Sequence, residues 1–179
     1  MRRLHIEIER LLASTSLGVT VIRPGMFASN ARHWWAPQIK VGDVVRWPYA
    51  DAETAPVDER DIAEVAARAL FDGRHTSGDY VLTGPESLSQ AKQVRPIGDA
   101  IGRPLRLEEL TPDEFRRQAA GTWPAGVAEM LLGAWQAALG RPAFVTSAVE
   151  EITGSPARTF YQWAADHATA FAGPGTGMK

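Results

Sequence analysis

The side chains able to do chemistry are few and scattered. The 179 residues contain no cysteine, which removes disulfides, thiolate nucleophiles and Cys-based zinc sites and is compatible with a reducing cytoplasm. The four histidines are His5, His33, His75 and His167. None has the His-x-x-x-His spacing that sets two ligands on one helix face, so no metal site is expected. Asp58, Arg60 and Asp61 gather three charges at the start of an apolar-periodic stretch. That position suits a helix cap, a dipole partner and a surface ion pair better than a reactive centre. The segment Arg23-Pro24-Gly25-Met26-Phe27-Ala28-Ser29-Asn30 ends an apolar run, and reads either as strand-end punctuation or as a turn facing a ligand. Tryptophans stand at 34, 35, 47, 123, 135 and 163, many for this length. An indole buries a large area and keeps one polar handle, which suits planar ligands as well as a core. Trp34 and Trp35, just after that turn, are the two expected to line a site.

These groups need elements to hold them. Leu4, Ile8, Leu11 and Leu12 fall at helical spacing and predict an amphipathic helix over residues 2–14. Gly18 to Ile22 is short, β-branched and apolar on both faces, the pattern of a buried parallel strand. A short helix carrying Trp34 and Trp35 is expected within 27–39, and a strand near a sheet edge at Val44–Pro48. Asp58 predicts the N-cap of a helix to about Leu70, closed by Gly73, with Asp61 completing a capping box. Tyr80–Leu82 reads as a strand, Leu88–Ile101 as a helix kinked or split at Pro96, and Leu105–Glu109 as a strand. Thr111-Pro112-Asp113-Glu114 is a helix start. Pro124–Leu139 and Pro156–Ala170 are read as the last two helices.

Alternating helices and strands argue an α/β fold with a parallel sheet. The Gly-x-Gly-x-x-Gly turn that opens a dinucleotide-binding unit is absent. Its nearest likeness, Gly173-Pro174-Gly175-Thr176-Gly177, follows a helix, leaving no helix N-terminus to receive a pyrophosphate. The expectation is therefore a partial doubly wound, Rossmann-like sheet missing its N-terminal nucleotide-binding units, with a helical substrate-side subdomain. Residues 1–171 would form that single domain and 172–179 a flexible tail.

Composition narrows the partners. Hydrophobic residues make up 45% and charged residues 22%, with a net charge of -2, as in ordinary globular chains. No basic face is apparent, which disfavours nucleic acid. No apolar run approaches the ~20 residues that cross a bilayer, so the expectation is a cytoplasmic protein without a membrane partner.

Four stretches, in order, carry a family resemblance: Gly18-Val-Thr-Val-Ile-Arg-Pro-Gly-Met-Phe-Ala-Ser-Asn30; Val57-Asp-Glu-Arg-Asp-Ile-Ala63; Tyr80-Val-Leu-Thr-Gly-Pro-Glu86 with Leu88-Ser89; and Gly154-Ser-Pro-Ala-Arg-Thr-Phe160 with Trp163. Over residues 4 to about 171 the chain resembles the second half of NmrA-like atypical short-chain dehydrogenases/reductases, which include NAD(P)H-dependent quinone and azo reductases. The resemblance implies a truncated oxidoreductase of which this chain is the substrate half, with a quinone-like or aromatic acceptor. It puts Pro24, Gly25 and Phe27 beside the nicotinamide end of NAD(P), and Phe27, Asn30, Trp34 and Trp35 against the substrate. Gly25 would allow close backbone approach, Phe27 an apolar wall and Asn30 an amide. Many short-chain dehydrogenases carry a Tyr-x-x-x-Lys pair on the preceding helix. If Glu9 takes the place of a glutamate four residues after that lysine, the lysine position is His5 and the tyrosine position Met1. His5 is then the one proton donor the alignment offers. Arg158 and Phe160 are expected to lock the last helix.

NAD(P) is expected by this resemblance, but not to be bound by this chain alone. Two other readings stand beside hydride transfer: a cofactor-independent binding or isomerase/cyclase module, and a regulatory dinucleotide sensor. In each, a hydrophobic or aromatic small molecule is the expected ligand. A homo-oligomer or a partner chain is expected to cover the apolar helix face and open strand.

Overall fold

The computed structural model describes residues 2–73, 78–124 and 126–173, with side chains from residue 5 onward. His75, Gly175 and Gly177 lie outside the described residues, as does most of the expected tail. The elements run α1 (Arg2–Ala13), β1 (Val21–Pro24), α2 (Asn30–Trp34), α3 (Ala36–Ile39), β2 (Val44–Pro48), β3 (Glu53–Thr54), α4 (Glu59–Phe71), β4 (Asp79–Leu82) and β5 (Leu88–Ser89). They continue with α5 (Gln90–Ile101), β6 (Arg106–Leu110), α6 (Pro112–Ala119), α7 (Val127–Ala137), α8 (Ala148–Thr153) and α9 (Phe160–Asp166), then a 3-10 turn at Ala168–Ala170.

The chain is α/β, and its described strands form three pairs. β1 runs parallel to β4 with Val21 opposite Asp79, β2 parallel to β6 with Val44 opposite Arg106, and β3 antiparallel to β5. Parallel pairing needs a crossover, and the intervening helices supply it. A parallel bridge between Phe27 and Val57 ties the loop after β1 to the entry of α4. Gly84 lies so close to that entry that a Cβ there would meet the Pro56 carbonyl oxygen at 2.1 Å.

Most of the core is one cluster around Trp35, Trp47, Trp135, Trp163, Phe115 and Phe160, each 2% exposed or less. A smaller one joins Val57, Val65, Leu82, Val149 and Ile152 beneath α4. Caps do what their sequences imply. Thr111 and Glu114 form a reciprocal capping box, and so do Thr159 and Gln162, each satisfying two orphan donors.

Several expectations are revised. Residues 27–39 form two short helices, and Pro37 falls in the first turn of the second, where its missing N–H costs nothing. Pro96 does not split α5, whose Val94, Pro96 and Ile97 are all buried; core packing holds the helix across the lost hydrogen bond. α4 is capped at its end by Asp72 rather than closed by Gly73. The last helix is shorter than the expected 156–170. α8 was not expected; Val149 and Ile152 at helical spacing and left-handed Gly154 at its end were its signals. Residues 18–20 lie outside β1, whose Val21 and Ile22 are only half-buried.

Candidate functional site

The loop between β1 and α2 is held from both ends. The Gly25 N–H donates to the Leu82 carbonyl at 2.9 Å, continuing the β1–β4 ladder. Beyond it the Val57 N–H donates to Met26 and the Ala28 N–H to Val57, at 2.8 and 2.9 Å. Val57 precedes Asp58, so the loop is anchored to the start of α4.

Asp58 is 1% exposed and caps α4 by accepting from the Arg60 N–H at 2.8 Å. It also pairs with the Arg60 guanidinium, whose other arm reaches Asp166 of α9 at 2.7 Å. Burial pushes the Asp58 carboxyl up, but the hydrogen bonds from Arg60 outweigh it and hold the group below the usual aspartate range. Glu59 ties three elements together: it takes Arg32 of α2 at 3.3 Å and the Trp163 indole N–H at 2.9 Å, with His167 at 3.6 Å. With Ala31 packed in the core, these contacts fix which face α2 turns outward.

Two clefts flank the anchored loop. The first, about 550 Å³, is lined by His5, Ile8 and Glu9 of α1 with Val21, Ile22, Arg23, Pro24 and Phe27. Arg23 grips Glu9 through both terminal nitrogens, at 2.8 and 2.7 Å, and Asp79 through Nε at 2.8 Å. Those hydrogen bonds lower the Glu9 carboxyl and raise the Arg23 guanidinium. The lining charges satisfy one another, leaving apolar walls, Phe27 at 40% exposure and an exposed imidazole at His5. Such a lining fits a flat ring such as a nicotinamide. A pyrophosphate would need converging N–H groups or free cations, which the described lining residues do not offer. A Cβ at Gly25 would make only ordinary contact, 3.5 Å from Leu82 O, so nothing within the chain demands glycine there.

On the other side of the loop, a cleft of about 490 Å³ is lined by Asn30, His33 and Trp34 of α2 and by Thr122, Trp123, Val127, Met130 and Leu131. Asn30, His33 and Trp34 share one helix face through their i, i+3, i+4 spacing. Trp34 stacks with Trp123 at 6.4 Å and with Trp47 at 5.5 Å, while Trp135 meets it edge-on at 5.6 Å.

The structure therefore brings His5, Pro24 and Phe27 to one cleft and Asn30 and Trp34 to the other, with Gly25 in the loop between. Trp35 is corrected to a core residue: it is 1% exposed because the turn from α2 to α3 rotates it inward. Asp61 is not a capping-box partner; it is 1% exposed and bound by Arg158. Sequence reading missed His33, although its place three residues after Asn30 on a helix was a usable signal. Among the described residues no group of three or more His, Asp or Glu could hold a metal ion, and no helix is long and apolar enough to cross a membrane.

No protein-family model matches the chain. It is 41% identical over 167 residues to a (4-alkanoyl-5-oxo-2,5-dihydrofuran-3-yl)methyl phosphate reductase of Streptomyces griseus, covering 93% of this chain and 59% of the relative. It is 32% identical to an NAD(P)H azoreductase of Xenophilus azovorans, covering 92% and 58%, and 26% identical to an NmrA-like family domain-containing oxidoreductase of Aspergillus flavus, covering 77% and 46%. Among solved structures, an NADPH-dependent quinone oxidoreductase of Escherichia coli superposes with a TM-score of 0.74 at 22% identity, over 92% of this chain and 60% of that one. The chain thus spans less than two thirds of the length of the relatives it matches.

Proposed function

The chain belongs to the NmrA-like oxidoreductase family over the part of those proteins that it spans, and from that premise we propose that it forms the substrate side of an NAD(P)H-dependent reductase. The acceptor would be a flat, electron-poor molecule: quinone-like, azo or a conjugated carbonyl. One observation carries this reading. The anchored loop from Pro24 to Asn30 is a shared wall, with a ring-sized apolar cleft on one side and a tryptophan-lined cleft on the other.

NAD(P)H, when bound, would supply the reducing equivalent. Pro24, Gly25 and Phe27 would hold its nicotinamide end against β1. Asn30 and Trp34 would orient the acceptor, and the indoles would keep water from its face. His5, at the rim of the first cleft, could deliver a proton to the reduced acceptor. The pyrophosphate would be held by other polypeptide. β1 is paired on one edge only among the described residues, and clefts of about 550 and 530 Å³ flank its two faces. An added parallel strand with its helices fits there, in a longer chain or a partner chain. A cytoplasmic location and a homo-oligomeric or partnered state belong to the same reading.

The test is a chimera in which the part of the Streptomyces griseus relative that this chain does not cover is joined ahead of α1. NADPH consumption is followed with a quinone, an azo dye and an unsaturated lactone. Turnover with at least one acceptor is expected. A folded chimera that binds NADPH yet consumes it with none would sink the reading. That result would favour a dinucleotide-sensing or binding role, for which His5 and Met1 at the usual lysine and tyrosine positions already argue.

A further inference from the structure

We infer that the tryptophan cleft beside α2 is selective for an uncharged conjugated ligand, whose carbonyl or azo group is received by Asn30 and His33, and that it discriminates against phosphorylated ligands. This deepens the reductase reading and rests on it. The relative at 41% identity is named for a substrate bearing a phosphate, so identity alone would suggest an anionic ligand here too.

The lining argues otherwise. Among the described residues it holds no Asp, Glu, Lys or Arg. Two arginines on adjoining helices carry carboxylate partners: Arg32 with Glu59 at 3.3 Å, and Arg116 with both Glu129 and Asp113 at 2.6 Å. A phosphate moved from water into a cleft walled by indole, Val127, Met130 and Leu131 would lose hydration and meet no Lys or Arg among the described lining residues, a costly exchange.

What the cleft does offer is a stacking platform with hydrogen-bond donors at its edge. Trp34 and Trp123 lie 25° apart in plane, and further indoles beneath them restrain their tilt. Among the described residues the Asn30 amide nitrogen is engaged only with the Met26 sulfur at 3.1 Å, a weak acceptor. The His33 side chain makes no hydrogen bond or ion pair among the described residues. An amide and an imidazole on one helix turn can both donate to a single carbonyl or azo acceptor.

The full 179-residue chain is titrated with menadione and, separately, with naphthyl phosphate, following the indole N–H resonances by NMR. Menadione should shift the Trp34 and Trp123 signals and bind at least ~10-fold more tightly than naphthyl phosphate, a difference of about 1.4 kcal/mol. Trp34→Leu should weaken menadione by a similar factor. Thr122→Arg, at an exposed residue of the cleft lining, should raise naphthyl phosphate affinity severalfold by supplying the missing positive charge. Equal or tighter binding of naphthyl phosphate to the unmodified chain would overturn the inference, as would menadione shifting neither indole. A chimera that turns over NADPH would leave the reductase reading standing in either case.

Discussion

Asp61 of α4 accepts the backbone N–H of Arg158 at 2.8 Å through one oxygen and the Arg158 guanidinium through the other. Residues 97 positions apart are thereby joined, and the segment leading into α9 is fastened to α4. The carboxylate is almost wholly buried, so its removal leaves a backbone donor and a cation without their acceptor. Asp61→Ala should cost about 3 kcal/mol, the low end for a broken buried pair, because the guanidinium is partly exposed. Urea unfolding measures it. A loss below ~1 kcal/mol would mean that Arg158 finds water or Glu64 instead.

Asp58 gives a pH dependence with a definite sign. Its folded carboxyl titrates below its unfolded value, about 3.8. Its contribution to stability is therefore fully present above that value and is lost as pH falls through the lower folded one. Asp58→Asn should flatten the acid limb of the stability curve below about pH 4 while costing ~1 kcal/mol at neutral pH through weakened capping and pairing. Chemical denaturation at a series of pH values checks this. An unchanged acid limb would remove Asp58 from the account.

Neighbouring Trp34 and Trp35 should behave oppositely. Trp35→Ala empties a fully buried site and should cost roughly 3–5 kcal/mol. Trp34→Leu should leave the thermal transition within a few degrees of the parent and act on ligand affinity. If the stability effects are reversed, Trp34 belongs to the core and the second cleft loses its platform.

Self-association follows from what β1 and α1 leave open. Leu11 is 68% exposed and Ile8 47%, and among the described residues β1 has a strand partner on one edge only. Light scattering at micromolar concentration should give a mass above 19.5 kDa, and Leu11→Glu should lower it. A monodisperse monomer would show that this surface is tolerated bare.

Local chemistry made much of this legible. The Thr111 box, the Asp58 cap and the parallel strands Val44–Pro48 and Tyr80–Leu82 follow from residue type and period. Within the site, Pro24, Phe27, Asn30 and Trp34 could be read from one loop and its helix. The destination of Asp61 could not, because its partner lies 97 residues away and a carboxylate at that position serves a cap equally well. Trp35 failed for a related reason: one residue along a helix is a turn of about 100°, and only the α2–α3 junction decides which of two adjacent indoles faces inward. α5 survived Pro96 because burial outweighed one lost backbone hydrogen bond.

The most direct test of the division of labour proposed for this chain is a pair of calorimetric titrations of the 179-residue polypeptide, one with NADPH and one with menadione. The account predicts saturable binding of menadione, weakened about tenfold by Trp34→Leu, and no binding of NADPH in the micromolar range, since among the described residues neither cleft offers a cradle for a pyrophosphate. Micromolar binding of NADPH would contradict it, as would menadione binding that ignores Trp34.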